Sequence, residues 1–223
     1  MQGFLDFLPN WFGDNADPDV NLHQMSKAIV TVLAVINPVV CGSIFLTLTS
    51  TLTPTKRLWA AGRAAFSILI VLVASSFVGI KLLSIFGISL DAFRIVGGMI
   101  IAYMGFDMLS GRQTVAQAPQ PEGNIDAGGS LTPLIMFAAG PGTITAVVTL
   151  AAVHTPRNEF PIEAVVASIV GAGVTFLVLF LAIKAGSHLK QNTQAIVTRF
   201  MGLIVASMGM QFVLEGLKEF LRI

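Results

Sequence analysis

The stretch AAGPGTITA, Ala138 to Ala146, lies in the middle of an apolar run that otherwise reads as a membrane-spanning helix. Proline removes a backbone donor and clashes with the preceding turn, and glycine weakens a helix further, so Gly140-Pro141-Gly142 predicts a kinked or unwound helix. Freed backbone groups are tolerated in hydrocarbon only where they face protein or a wet cavity. A break placed there therefore raises the question of a site. The surrounding chain is that of a membrane protein: 54% of its 223 residues are apolar and 11% are charged, against about 25% charged in soluble domains. The mean hydropathy is +0.80.

Outward from this stretch, six apolar runs approach the roughly 20 residues a helix needs to cross a bilayer. They cover Met25 to Thr49, Trp59 to Phe86, Ala92 to Leu109, Leu131 to Val153, Ile162 to Ile183 and Ile196 to Leu217. Residues 1–23 are aromatic and acidic and lack the pattern of a signal peptide, so they read as an interfacial segment. Residues 110–130, SGRQTVAQAPQPEGNIDAGGS, have no periodicity and read as a polar linker. The linker separates a first three-helix unit, residues 24–109, from a second, residues 131–223.

The two units look alike. VINPVVCGSIFLTL in the first stands where AAGPGTITAVVTL stands in the second, placing Pro38 and Pro141 midway through equivalent spans. RIVGGMIIAYMG from Arg94 matches RFMGLIVASMG from Arg199. A repeat with an odd number of spans must be inserted upside down relative to its copy. The expected fold is thus an all-α membrane protein of six helices in two inverted three-helix repeats, with the first and fourth helices broken. Basic residues in the first loop (Lys56, Arg57, Arg63) and the fifth (Lys184, Lys190, Arg199) put both loops in the cytoplasm and both termini outside. The acidic Asp6, Asp14, Asp17 and Asp19 are then external.

Two breaks at corresponding points of two repeats point to a binding site near the midplane. Half-helix N-termini present N–H groups and a positive dipole end to a carboxylate, and unwound carbonyls accept from an ammonium, which together suit a small zwitterion. The candidate substrate-binding residues are Asn37, Pro38, Cys41, Gly42, Ser43, Gly140, Pro141, Gly142 and Thr143, with Thr47 and Thr145 as further short polar partners. Glycine at 42, 140 and 142 would let a ligand approach the backbone closely. The competing account is that Gly and Pro here serve only helix packing. Their paired placement favours a site.

Arg94, Asp107, Arg199 and Glu215 are candidates for coupling or gating, because ionisable groups in membranes are often functional. Each lies within a turn or two of an expected helix end, where snorkelling costs little. Structural roles are favoured for Asp107 and Glu215, while the repeat places Arg94 and Arg199 equivalently. The single cysteine, Cys41, excludes an internal disulfide, and His23, His154 and His188 fall in loops or at helix ends without metal-ligand spacing. No metal or cofactor is expected. The spans offer no nucleophile with a base, which argues against an intramembrane enzyme, and a net charge of +1 gives no sign of nucleic acid. A passive channel and a non-transporting sensor or assembly protein remain as alternatives to a transporter.

The ordered set of INP with IFLTLTSTLTPTKR, FGISLDAFRIVGGMIIAYMGFDML and AAGPGTI resembles the MarC family, also called the small neutral amino-acid transporter family, a distant relative of the lysine exporters. The resemblance covers nearly all of the chain from about residue 25. It implies six spans in a bacterial inner membrane or an archaeal membrane and import or export of small neutral amino acids such as alanine or glycine, coupled to protons. A homo-oligomer is compatible with it. Many members read NPIGN in the first span, where this chain has NPVVCG, Asn37 to Gly42. The AGPGTI match at Ala139 to Ile144 is intact, so Gly140, Pro141, Gly142 and Thr143 carry over directly.

Overall fold

The computed structural model describes residues 18–111, 131–154, 160–185 and 191–221. The interfacial segment before residue 18, the linker beyond Gly111 and His188 lie outside the described residues. Among the described residues eight helices follow in order: α1 (Pro18–Ile36), α2 (Pro38–Leu48), α3 (Pro54–Ile85), α4 (Leu90–Leu109), α5 (Thr132–Ala138), α6 (Pro141–His154), α7 (Ile162–Ala185) and α8 (Gln191–Leu221). Read with α1–α2 and α5–α6 as single interrupted spans, they make six stretches long and apolar enough to cross a membrane, from Gln24–Leu48 to Ala195–Leu221.

Both expected breaks occur, and they are built differently. At the first, the Asn37 N–H closes α1 on the Leu33 carbonyl at 3.0 Å, and Asn37 itself takes a left-handed conformation, φ 52°. It is the only described residue other than glycine with positive φ, and asparagine is among the few L-residues that adopt it at low cost. Pro38 then starts α2 at a position where a missing N–H costs nothing. The second break is milder. Ala139 closes α5 on Ile135 at 2.8 Å, and α6 resumes at Pro141, with Ile144 donating to Gly140 at 3.0 Å.

The pieces pack across the breaks. α1 lies on α6 and α2 on α5, while α3 and α7 pack against each other and cover the broken spans. The buried face of α3 is a stripe of Ala60, Ala61, Ala64, Ala65, Ile68, Leu72 and Ser76, whose small side chains let the helix approach closely. The outward faces carry large apolar residues such as Phe66, Ile70, Phe106, Ile169 and Leu203, as a lipid-facing surface requires.

The most extensive helix pair is α4 with α8. These two run antiparallel on glycines spaced seven apart: Gly98 and Gly105 on one side, Gly202, Gly209 and Gly216 on the other. A Cβ on Gly98 would meet the Gly209 carbonyl oxygen at 2.7 Å, the Val213 nitrogen at 2.8 Å and the Phe212 Cβ at 2.9 Å. A Cβ on Gly202 would meet the Gly105 carbonyl oxygen at 2.9 Å, the Leu109 nitrogen at 3.0 Å and the Met108 Cβ at 2.8 Å. The two environments are the same atoms shifted by 104 residues, and Gly105 against Ala206 repeats in Gly209 against Ala102.

Arg57 holds the end of the first broken span. Its Nε donates to the Thr49 carbonyl at 2.8 Å and its Nη2 to the Ser50 carbonyl at 2.7 Å, placing a cation on the C-terminal end of α2. One of the cations that set the expected loop orientation is thus also a helix cap. Arg57→Ala should lower stability by about 1 to 3 kcal/mol, since water replaces it on the exposed Ser50 carbonyl while Thr49 is buried, readable as a fall in thermal midpoint in detergent.

Candidate functional site

Close to the breaks, Val35 from α1 and Ala146 from α6 share one buried cluster with Ile101, Val205 and Phe212. The glycines there are occupied by protein. A Cβ on Gly142 would lie 2.8 Å from Ile101 Cγ1, and one on Gly42 would rest 3.4 Å from Val178 Cγ1. A Cβ on Gly140 would overlap the Met136 carbonyl oxygen of the preceding turn. Close packing therefore accounts for Gly140 and Gly142, whereas a Cβ on Gly42 would make only ordinary contact, so packing alone does not demand glycine there.

The polar groups divide into those turned to their own helix and those left over. Cys41 is fully buried and its thiol lies 3.3 Å from the Ile36 carbonyl, which it serves at the break. Ser43 and Thr47 donate to Val39 and Ser43 carbonyls, and Thr145 donates to the Pro141 carbonyl at 2.9 Å. Thr143 and Pro38 are buried, whereas Pro141 is exposed. Asn37 differs from all of these. Its Oδ1 accepts from the Val40 N–H at a long 3.4 Å, while its Nδ2 is buried with no hydrogen-bond acceptor among the described residues. A buried amide donor without an acceptor costs about 1 to 3 kcal/mol, and at 0% exposure no bulk solvent relieves it.

A second polar place was not expected from the sequence. Thr31 of α1, Thr149 and Leu150 of α6, and Met208, Gln211, Phe212 and Glu215 of α8 line a cleft of about 70 Å³. Buried Thr49, Ser76, Thr145, Ser168 and Thr175 all donate to the carbonyl four residues back. Thr149 is 1% exposed, and its hydroxyl has no partner among the described residues. Gln211 Nε2 donates to Glu215 Oε1 at 2.8 Å, one turn along the same face. Both groups were visible as QFVLE, Gln211 to Glu215, yet the expected end of the last span at Leu217 put Glu215 at the helix mouth. The helix runs on to Leu221, so Glu215 lies nearly two turns inside it.

The charged candidates separate into two ends of the α4–α8 seam. Arg94 is buried, its Cβ 3.2 Å from the position of a Cβ on Gly216, and it acts electrostatically on Glu215 together with Lys218. Arg199 is exposed, its guanidinium beside Gly111 at the C-terminal end of α4. Asp107 lies half-buried in the last turn of α4, thirteen residues, or about 20 Å, from Arg94. The equivalence of Arg94 with Arg199 read from the sequence is one residue out of register. The reciprocal contacts pair Gly98 with Gly202 and so pair Arg94 with Thr198, which is buried as Arg94 is. A one-residue slip turns a helix by about 100°, which carries Arg199 off the seam.

Residues 22–221 match the family model described as MarC family integral membrane protein. The chain is 32% identical over 198 residues to a membrane protein of Pyrococcus abyssi, covering 88% of this chain and 96% of that one. It is 31% identical to the Bacillus subtilis membrane protein YvbG, over 85% of this chain and 92% of the relative. The inner membrane protein MarC of Salmonella typhimurium is 27% identical over 87% of this chain and 94% of its own. No solved structure matches. Six apolar spans, paired breaks in the first and fourth and a family match across both halves lead to one statement: the chain belongs to the MarC family of integral membrane proteins.

Proposed function

We propose that the protein is a secondary transporter of small neutral amino acids such as alanine or glycine, importing or exporting as the gradients direct, with protons as the coupling ion. The observation that carries this reading is Asn37: a buried amide with an unanswered donor, held in left-handed backbone where the first span breaks. Such an unsatisfied buried donor persists where it serves a ligand. A substrate carboxylate is the acceptor that Nδ2 lacks, and the N-terminus of α2 adds its dipole beside it. The reciprocal α4–α8 contacts support two inverted copies around that level, the arrangement through which alternating access works in many secondary transporters. In this reading the protein sits in the cytoplasmic membrane with both termini outside.

The test is counterflow in proteoliposomes. Vesicles preloaded with unlabelled alanine should accumulate labelled alanine transiently above its equilibrium level. A passive channel would only equilibrate the label, and a sensor or assembly protein would move none. Either of those outcomes rejects the transporter reading.

A further inference from the structure

We propose that the cleft between α1, α6 and α8 is the coupling-proton site, with Glu215 as the group that takes up the proton and Thr149 as its hydrogen-bond partner. This deepens the transporter reading and rests on it for its role in transport, although the proton site itself can be measured without a substrate. Three features meet in one place. Glu215 lies inside the last span with one carboxylate oxygen fixed by Gln211 at 2.8 Å. The cleft beside it is large enough for a water or two. Thr149, whose buried hydroxyl does not bond its own helix, also lines this cleft.

The chemistry of those groups suits both protonation states. When Glu215 is ionised, a bridging water or a small rotation of the carboxylate lets the Thr149 hydroxyl donate to Oε2, since the two are not directly bonded in the structure. When a proton binds at Oε2, the new O–H donates and the Thr149 oxygen accepts, because a hydroxyl can do either. Gln211 keeps its N–H on Oε1 throughout. Thr31 supplies a second hydroxyl from α1. The charged groups acting on Glu215 are Arg94 from α4 and Lys218 from α8. α4 also carries Asp91, whose carbonyl packs against Gly216, α8 carries Glu219 one turn beyond Glu215, α1 carries Lys27 one turn before Thr31, and α6 carries no charged residue along its cleft face.

The cleft also stands in the right place to be felt at the breaks. Thr31 and Asn37 are six residues apart on α1, about 9 Å, and Thr149 is eight residues along α6 from Pro141, about 12 Å. The same two helices thus carry the break and the cleft. A change of charge at Glu215 alters the contact of α8 with both.

The experiment uses the full chain. In proteoliposomes a one-unit pH gradient should drive about tenfold alanine accumulation at one proton per substrate. Glu215→Gln should abolish that accumulation while alanine counterflow continues, and Thr149→Val should displace the pH midpoint of accumulation. Independently of transport, infrared difference spectra across the acid-to-neutral range should show a carboxyl band that disappears in Glu215→Gln and shifts in Thr149→Val. Absence of any amino-acid flux in the wild type would defeat the transporter reading, and the infrared bands would still decide the proton site. Wild-type accumulation in Glu215→Gln, a carboxyl band unchanged in both variants, or accumulation that follows sodium and ignores pH would overturn the proposal.

Discussion

Gly209→Ala should destabilise the protein by about 3 kcal/mol, the upper end of what overpacking a core costs, and Gly173→Ala should leave stability unchanged or raise it by up to about 1 kcal/mol. The added methyl is the same in both. At Gly209 its carbon would overlap the Ala102 backbone nitrogen and sit 2.6 Å from the Gly98 carbonyl oxygen. Backbone cannot escape by changing rotamer, so α4 and α8 must move apart along their whole seam. That separation also removes the close carbonyl contacts that glycine pairs permit in membranes. At Gly173 nothing lies within 4 Å of the new carbon. Thermal midpoints of the two variants in one detergent, followed by size-exclusion chromatography, make the comparison. Equal midpoints would mean that the seam is looser than its geometry and that something else binds the two halves.

Much of this architecture was legible in the sequence because membrane helices announce themselves by length. Each of the six apolar runs found its helix within a few residues, apart from the second and sixth, which extend further. α3 starts at Pro54 because proline opens a helix, and the polar Thr55, Lys56 and Arg57 that ended the apolar run can sit in its first turn. α8 runs four residues past Leu217 because Lys218 and Glu219 can snorkel. The breaks were legible as well, since Pro38 and Pro141 have no way to continue a helix unmarked. What the sequence concealed was direction around each helix. Gly142 is the same residue whether it admits a ligand or a neighbouring Ile101, and only the packing distinguishes the two. The register of the reciprocal glycine contacts was hidden for a related reason. Gly97 and Gly98 are adjacent, so the spacing from Arg94 chose the wrong one, and the seam shows that Gly98 is the contact while Gly97 faces Thr145. The cleft was missed because its residues come from three helices, each contributing one or two polar groups that look ordinary alone.

Asn37→Gly should reduce the apparent affinity for alanine at least tenfold while changing stability by about 1 kcal/mol or less. Glycine adopts φ 52° freely, so the break keeps its shape. The lost cap is the long 3.4 Å bond to the Val40 N–H, and replacing an asparagine cap by glycine costs only a few tenths of a kcal/mol. Removing the buried amide also removes the cost of leaving Nδ2 unanswered, which offsets part of the void. The substrate, by contrast, loses a hydrogen bond to its carboxylate, and a bond to a charged group is worth about 1.5 to 3 kcal/mol, or roughly ten- to a hundredfold in affinity. Gly142→Val is the informative comparison, because its side chain would press on Ile101 and open α6 from α4. It should lower the thermal midpoint together with binding, whereas Asn37→Gly should lower binding nearly alone. Measuring alanine affinity by counterflow and thermal midpoint for both variants separates the amide from the glycine. Wild-type affinity in Asn37→Gly, with binding lost in a Gly142→Val protein of normal stability, would assign the substrate to the Gly-Pro-Gly backbone and leave Asn37 a structural cap.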